Sequence, residues 1–315
     1  MKPSGIGGQA VLEGIMMKNK DKYAVAVRKP NQEIEVCVKE YKGITKGNKI
    51  LNLPFIRGVF NFIDSLIIGM STLMFSAEFY EEEETEEVKK GDKVADSLFK
   101  EKAESAIMTI TVIVAALIAI GLFVVLPSIA SDLIKKYFHI ISYTIISLIE
   151  GLIRITLFLI YIFLISRMKD IQRTFMYHGA EHKCINCIEH GMELNVDNVL
   201  KSSRLHKRCG TSFLFLVMAI SIIFFILIPV QQPVMKIVVR ILMIPVIAGV
   251  SYEVLRFAGQ HEGKLVDIVS APGMALQKLT TKEPDEKMAE VAIKAFEAVF
   301  DWRTFLAENS EETNQ

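Results

Sequence analysis

Hydrophobic residues along this chain are concentrated in a few long blocks, and these blocks predict helices that cross a membrane. Four apolar stretches occupy residues 106–126, 143–165, 213–230 and 237–255. Each stretch is close to the ~20 residues that an α-helix needs to cross the apolar core of a bilayer. We therefore predict two transmembrane hairpins, one over residues 105–166 and the other over residues 212–256.

A further apolar stretch, residues 54–77, differs from these because polar side chains mark one side of it. The polar positions recur at helical spacing and are Arg57, Asn61, Asp64, Ser65, Ser71 and Thr72. Such a stripe predicts an amphipathic helix that lies in the membrane interface or packs on the transmembrane bundle. The alternative is a complete span whose polar side faces inward, which would place the N-terminus on the opposite side of the membrane.

The polar segments outside these helices predict a small domain of mixed secondary structure. Residues 1–53 contain two β-prone runs, 23–28 and 34–38, on either side of a turn sequence at 29–32, which is typical of a β-hairpin. Residues 78–104 combine an acidic run with lysines and predict a solvated linker, because like charges repel one another.

The C-terminal segment, residues 257–315, is expected to start as a loop and then to form a helix that begins near Pro284 and carries an apolar stripe. The predicted fold is an all-α polytopic membrane protein with about four transmembrane helices. A small α+β cytoplasmic domain would be assembled from the N-terminal segment, the polar loop at 167–211 and this C-terminal segment.

Basic residues are unevenly distributed, and their distribution orients the predicted helices. Lysine and arginine are frequent before the first span and in the loop at 167–211, but scarce in the other connections. The positive-inside rule then places both termini and this loop in the cytoplasm. The chain is 51% hydrophobic with a net charge of +0 and a mean hydropathy of +0.35, so no nucleic-acid partner is expected. No signal peptide is expected either, and we predict a multi-pass protein of the cell membrane, in contact with the lipid bilayer.

The sequence YHGAEHK at residues 177–183 is the strongest candidate for chemistry. In a helix, His178 and His182 lie one turn apart on the same face, where two imidazoles can hold one divalent metal such as zinc. Glu181 is a candidate proton acceptor, and the order H-x-x-E-H is the inverted form of the zinc-protease helix signature. The alternative is that both histidines are interfacial polar residues that make hydrogen bonds.

A metal needs further ligands, and three residues are candidates for them. Glu189 falls on the same helical face as the two histidines, while His206 and Cys209 have an H-x-x-C spacing that suits joint coordination from one helical turn. With three protein ligands and an open position, the site would be catalytic. With four protein ligands, the metal would only clamp the loop. In the catalytic case, Arg173 or Arg208 would stabilise the negative charge that develops on the substrate.

Two other residue pairs are expected to be structural. Cys184 and Cys187 point away from the histidine face and are therefore poor partners for it. Glu150 and Arg154 lie four residues apart within a predicted span, where an ion pair is the economical explanation for two charges. A transport path would need polar residues from several spans, and besides this pair the spans offer only Arg240.

Several segments together resemble the YqhQ-like family of bacterial membrane proteins. These segments are spread over nearly the whole chain and comprise residues 7–17, 54–58, 177–183, 206–211, 252–256 and 272–290. The resemblance implies a metal-dependent enzyme. It also draws attention to polar residues at 277–285 and to Gln9, Glu13, Arg57, Glu253 and Arg256. Gln9 and Glu13 would supply oxygen ligands, bind a partner, or join a polar network that seals the cytoplasmic domain onto the bundle.

Three functions are compatible with these observations. The first is a metal-dependent hydrolase at the cytoplasmic face, acting on a peptide or a lipid-linked substrate. The second is a non-catalytic scaffold or assembly factor that binds an unknown protein partner and holds a structural metal or a polar network. The third is transport of a small solute.

Overall fold

The chain folds as two units, each built from segments that are distant in sequence. The computed structural model describes residues 3–85, 95–261 and 263–313, and the side chains of residues 3–80, 107, 109–261 and 263–309. Unit 1 comprises residues 1–82, 162–217 and 245–315, and unit 2 comprises residues 83–161 and 218–244.

Helices dominate the described residues, as the sequence predicts. They are α1 (Ile56–Thr85), α2 (Ala95–Ile120), α3 (Leu126–Phe138), α4 (Tyr143–Ile165), α5 (Lys169–Glu189), α6 (Val196–Lys201), α7 (Gly210–Leu227), α8 (Pro233–Gln260), α9 (Lys264–Thr280), α10 (Glu286–Glu297) and α11 (Trp302–Thr313). A π-helical turn at Gly121–Val125 joins α2 to α3. The predicted linker at 78–104 is therefore helical at both ends, while residues 86–94 lie outside the described residues. The loop predicted at the start of the C-terminal segment is wrong, because α9 forms there in spite of Pro272 and Gly273.

Unit 1 contains a four-stranded antiparallel sheet in the order β1-β2-β3-β4. The strands are β1 (Gly7–Val11), β2 (Gly14–Asn19), β3 (Lys22–Arg28) and β4 (Ile34–Glu40). β3 and β4 pair in a register that sets Val25 opposite Cys37, around the turn where the sequence predicts a hairpin. Residues 23–28 of β3 are all buried, which indicates that both faces of the sheet are covered.

One face of the sheet packs on α5 and α10. Its side chains Ile15, Met17 and Ala26 join a core that contains Tyr177 and Ile185 of α5. Helix α10 begins directly after Asp285, whose carboxylate accepts a hydrogen bond of 2.8 Å from the Met288 backbone N–H and caps the helix. Its apolar stripe then enters the same core and consists of Met288, Val291, Ala292, Ala295 and Phe296. Each large apolar side chain buried here contributes roughly 1.5–3 kcal/mol to stability.

The opposite face of the sheet packs on α1. Ile68 lies in a second core with Val11 and Val25, and Ser76 accepts a 3.1 Å hydrogen bond from the Leu12 backbone N–H. Asp64, on the predicted polar stripe, accepts a hydrogen bond of 2.7 Å from the Tyr41 hydroxyl. Asp64 and Ser76 of α1 thus bind the segments next to the strands, whereas Asn61 of the same polar stripe donates a 2.8 Å hydrogen bond to the Tyr252 hydroxyl of α8.

Within the part of the chain that the structure describes, five helices are long and apolar enough to cross a membrane, judged by length and composition: Ile56–Tyr80, Thr109–Phe138, Tyr143–Ile165, Gly210–Leu227 and Pro233–Gln260. The predicted mainly helical fold, with several apolar helices and a small antiparallel sheet, is therefore confirmed. Four of these helices correspond to the four predicted spans, and the other is the striped helix α1.

Unit 2 contains a buried cluster of charged side chains centred on Glu150. The carboxylate is 3.1 Å from Arg154 Nη2 and 3.1 Å from Lys236 Nζ, so the predicted pairing of Glu150 with Arg154 is present. Arg240 Nε is not aligned for a hydrogen bond, but it lies 2.6 Å from Glu150 Oε1. Arg154 also donates a hydrogen bond of 2.8 Å to the carbonyl of Phe123 in the π-helical turn.

Candidate metal centre

Helix α5 brings His178 and His182 together as the sequence predicts. Their ring centroids are 4.4 Å apart, and the helix is continuous from Lys169 to Glu189. The glycine between them allows a close approach, because a Cβ on Gly179 would lie only 2.0 Å from the Lys282 carbonyl oxygen. The segment that follows α9 can therefore lie directly against the histidine-bearing turn.

Two backbone carbonyls fix the tautomers of the histidines. His178 Nδ1 is 2.9 Å from the Thr280 carbonyl oxygen, and His182 Nδ1 is 2.7 Å from the Arg204 carbonyl oxygen. A carbonyl only accepts hydrogen bonds, so each Nδ1 carries a proton and the lone pair of each neutral ring is on Nε2. Metal-binding histidines are typically oriented in this way by a partner of their second nitrogen.

Cys209, directly before α7, is the third member of the group. Its Sγ is 3.3 Å from His178 Nε2. One potential ligand atom from each of His178, His182 and Cys209 lies within 4.8 Å of the other two. Zinc binds imidazole nitrogen at ~2.0–2.1 Å and thiolate sulfur at ~2.3 Å, so these atoms are within reach of one ion.

The three side chains face a small cavity of about 90 Å³ that Glu181 also lines. A Cβ on Gly8, at the edge of the sheet, would lie 2.7 Å from Glu181 Cγ, so only a glycine fits at this point of β1. Burial raises the pKa of the Glu181 carboxyl to about 7, against the opposing effects of the neighbouring His178 imidazole and of a hydrogen bond from the Gly8 backbone. The cavity has room for about three waters at ~30 Å³ each.

Glu189 and His206, both predicted as ligands, are brought to the rim of this site but are paired with each other. His206 Nε2 is 3.3 Å from Glu189 Oε2, and Glu189 also binds Arg208 and the Ser4 backbone N–H. Burial by itself would raise the pKa of Glu189, but the hydrogen bond from His206 and the charge of Arg208 outweigh it and lower the pKa to about 2. Burial lowers the pKa of the His206 imidazole, and Glu189 offsets this only in part.

Gln277 holds the loop that carries His206. The Gln277 side chain accepts a hydrogen bond of 2.9 Å from the His206 backbone N–H and donates one of 2.8 Å to the His206 carbonyl. The Gln277 side-chain amide therefore satisfies both backbone hydrogen-bonding groups of His206, as a neighbouring β-strand would. The sequence motifs give no direct signal for this role, nor for the walls that Gly7 and Gly8 contribute to the cavity.

The remaining predicted polar residues lie outside the His–His–Cys group. Glu13 pairs with Arg173 and accepts a 3.1 Å hydrogen bond from the Tyr177 hydroxyl. Arg173 is thus occupied away from the cavity, whereas Arg208 lines it. The Gln9 side chain contacts Gly69 of α1.

A second ion pair joins the start of α1 to α8. Arg57 Nε donates a 2.7 Å hydrogen bond to Glu253 Oε1, and Nη2 lies 2.5 Å from Oε2. Arg256, one turn further along α8, lines a separate groove together with Arg208. Cys184 and Cys187 lie in the sheet–helix core, and burial raises the pKa of both thiols.

Comparison with known proteins places the chain in one family. The family described as "Protein of unknown function (DUF1385)" matches residues 53–302, a range that includes the two histidines, Glu181 and Cys209. The uncharacterized protein YqhQ of Bacillus subtilis (strain 168) is 33% identical over 299 residues, which cover 93% of this chain and 92% of that protein. No solved structure matches. These matches show that the chain belongs to the DUF1385 family and that it is similar to YqhQ over nearly its whole length.

Proposed function

We propose that this protein is a metal-dependent membrane hydrolase whose metal is held by His178, His182 and Cys209 and whose general base is Glu181. The observation that carries the proposal is the shared cavity. Two imidazoles with free Nε2 lone pairs, a thiol and a buried carboxylate all line one space of about 90 Å³. This combination provides metal ligands and a proton acceptor at the same point.

The donor set favours zinc. Two nitrogens and one sulfur form a ligand type that zinc accepts readily, and catalytic zinc sites keep three protein ligands and one open position. When bound, the metal would act as a Lewis acid and lower the pKa of a coordinated water toward ~7.

Glu181 would accept a proton, and Arg208 would stabilise negative charge on the substrate. The Glu181 carboxylate is buried beside the cavity and is oriented by the Gly8 backbone, so it can accept a proton from the attacking water. Arg208 lines the same cavity, where its positive charge can stabilise an oxyanion as it forms on the substrate. Glu189 holds Arg208 in this place through their ion pair.

The packing of unit 1 supports a topology with four membrane crossings. The sheet, α5 and α10 share one core, so these three parts of the chain lie on the same side of the membrane. Three candidate spans separate the sheet from α5, and an odd number of crossings is incompatible with that core. Helix α1 is the one that stays on this side, because it contacts the sheet from Asp64 to Ser76. By the positive-inside rule this side would be the cytoplasm, and both termini and the metal centre would then lie at the inner face of the bacterial membrane.

A structural metal in a non-catalytic scaffold is the second candidate function. The His206 ring centroid is 5.8 Å from that of His182. If His206 left Glu189 and turned toward the group, it would complete a closed site of four protein ligands.

Cobalt substitution separates the two candidates. The purified protein is loaded with Co²⁺, and its visible spectrum is recorded before and after addition of acetohydroxamate. An open coordination position predicts a changed d–d spectrum, whereas a site closed by four protein ligands predicts an unchanged one. Failure to bind any metal with near one-to-one stoichiometry would overturn both forms of the proposal.

The Glu181→Gln variant tests catalysis by using a panel of fluorogenic peptides and fluorescent phospholipids in proteoliposomes. We expect metal content to be retained and hydrolysis to fall by about 10²–10⁴-fold, the usual contribution of a general base. Glu286→Gln, on the exposed side of α10, is the matched control. Equal hydrolysis rates for Glu181→Gln and the unmodified protein would exclude Glu181 as the base.

A further inference from the structure

A groove of about 550 Å³ lies beside the metal centre and is lined by two arginines. Arg208 and Arg256 contribute positive charge, and Tyr252 and Leu255 contribute aromatic and apolar surface. None of the described residues that line the groove is an aspartate or a glutamate. Its volume lies within the ~300–1,000 Å³ typical of ligand sites. An anionic group with an apolar attachment matches this lining.

The groove adjoins the metal cavity. Ile6, Gly7 and Arg208 line both spaces, so these three residues form the boundary between a molecule lying in the groove and the side chains of His178 and Cys209. The smaller cavity would hold only the group that reacts, and the larger groove would hold the rest of the molecule.

Arg208 is fixed at the junction of the two spaces. A Cβ on Gly259 would lie 2.5 Å from Arg208 Cγ, so the aliphatic part of this side chain lies directly on α8. Its guanidinium pairs with Glu189, whose carboxylate also accepts a 2.7 Å hydrogen bond from the Ser4 hydroxyl. One carboxylate therefore positions both the arginine and the N-terminal wall of the groove.

In the proposed topology the groove lies at the level of the membrane surface. Its α8 residues, from Tyr252 to Gln260, form the last turns of a candidate span, Pro233–Gln260. Aromatic and basic side chains at the ends of spans lie among lipid headgroups. A soluble substrate does not require a binding site at the membrane surface, whereas the headgroup of a lipid would lie at that level.

Building on the proposed function, we propose that this groove binds the anionic, phosphate-bearing headgroup of a membrane lipid, and that such a lipid is the substrate. Arg256 and Arg208 would contact the headgroup, and the ester bond to be cleaved would enter the metal cavity. Hydrolysis consumes one water. The water oxygen bonds to the ester carbon or phosphorus, the ester C–O or P–O bond breaks, and the proton accepted by Glu181 passes to the leaving oxygen.

Photo-crosslinking in proteoliposomes tests the groove. A photoactivatable phosphatidylglycerol is incorporated, and the cross-linked peptides are mapped by mass spectrometry. We expect labelling at residues 3–7 and 252–260, and a decrease of about fivefold in Arg256→Gln, since one basic residue near an anionic surface contributes ~1 kcal/mol. Arg256→Lys should restore most of the labelling, and Arg303→Gln, an exposed arginine on α11, should not change it.

Labelling at Lys135 and Lys136 on α3 provides an internal reference that Arg256→Gln should leave unchanged. Equal groove labelling in Arg256→Gln and the unmodified protein would overturn the proposal and leave Arg256 as an interface anchor. Competition by millimolar inorganic phosphate would point to a free phosphate compound, and competition only by an extended peptide would point to a peptide. Both of these results also overturn the lipid assignment.

The His178→Ala variant separates this proposal from the proposed function. It should lose metal but keep the groove labelling, because Arg256 and Tyr252 do not depend on the metal ligands. Retained labelling together with a Co²⁺ spectrum that acetohydroxamate does not change would mean that the groove binds lipid but that the centre is not catalytic.

Discussion

The charged cluster of unit 2 and the histidine cluster of unit 1 are both buried, but they use their polar atoms differently. Around Glu150, one carboxylate faces Arg154, Lys236 and Arg240. Around His178, the Nδ1 atoms are bound to carbonyls while the Nε2 atoms and the Cys209 sulfur face a cavity. The charged groups of the first cluster are paired with one another, whereas the second cluster directs two imidazole nitrogens and a sulfur toward the cavity.

This difference separates a structural role from a chemical one. Buried charges are costly unless each has its partners, so a closed cluster stabilises one packing of the helices or at least fixes it. Lone pairs that converge on a cavity have the arrangement expected of a ligand site. Burial and charge alone would have ranked the Glu150 cluster first, because it holds more ionisable groups in a membrane span.

Removing the central carboxylate of the closed cluster should have the largest effect. Glu150→Gln leaves three buried cations facing a neutral amide, and we expect it to lower the free energy of unfolding by about 3–5 kcal/mol. Thermal unfolding in detergent measures this, and metal content should not change in the protein that remains folded. Asp132→Asn is the control, because that side chain is 37% exposed and contacts Lys236 alone among the three cations. A similar stability for both variants would mean that the cluster does not hold unit 2.

Removing one atom from the open cluster should change metal affinity rather than stability. Cys209→Ala deletes a proposed ligand, and we expect metal affinity to fall by at least ~100-fold, since even outer partners of metal ligands account for ~10–100-fold. Cys187→Ala removes another buried thiol, which belongs to α5 and points into the core. This variant should keep its metal. Equal metal content in the two variants would exclude the Cys209 sulfur as a ligand.

The smallest effect on stability and metal binding is expected at Glu189, which binds His206 and Arg208 at the rim of the open cluster. Glu189→Gln weakens charged hydrogen bonds and should lower the free energy of unfolding by about 2 kcal/mol at pH 7, with a metal loss smaller than that of Cys209→Ala. The pKa of Glu189 is lowered from 4.5 to about 2 in the folded protein. Its contribution is therefore fully present above pH ~4.5 and lost as the pH falls through ~2.

Unfolding measured at pH 7 and at pH 3 checks this sign. The stability difference between the unmodified protein and Glu189→Gln should be smaller at pH 3, because the carboxylate gains protons more easily in the unfolded state. If Glu189→Gln instead lost metal as completely as Cys209→Ala, Glu189 would be a ligand, as its place on the helical face predicts.

Much of the architecture could be predicted because it depends on local rules. The four apolar stretches correspond to candidate spans, and the start of α10 follows from the Asp285 cap. The hairpin of β3 and β4 was visible as two β-prone runs around a turn. The sheet as a whole was not, because β1 and β2 are short and rich in glycine and methionine. Their pairing depends on partners that the sequence pattern does not identify.

The candidate site divides in the same way. The spacing of His178 and His182 fixes their separation within any helix. The choice among Glu189, His206 and Cys209 depended on how the loop before α7 folds back. The Gln277 side chain binds the backbone of His206, and Glu189 binds the His206 imidazole. Cys209 is therefore the candidate that lies beside the two histidines.

The sequence by itself determined the apolar helices, their approximate bounds and the paired histidines, because these depend on helix rise, helix pitch and the transfer of apolar side chains out of water. Only the tertiary structure decided which distant residues meet at the pair. It brought Cys209, the Gly8 backbone and the carbonyls of Thr280 and Arg204 to one helical turn. Contacts between segments so far apart depend on the packing of the whole core, which no local pattern encodes.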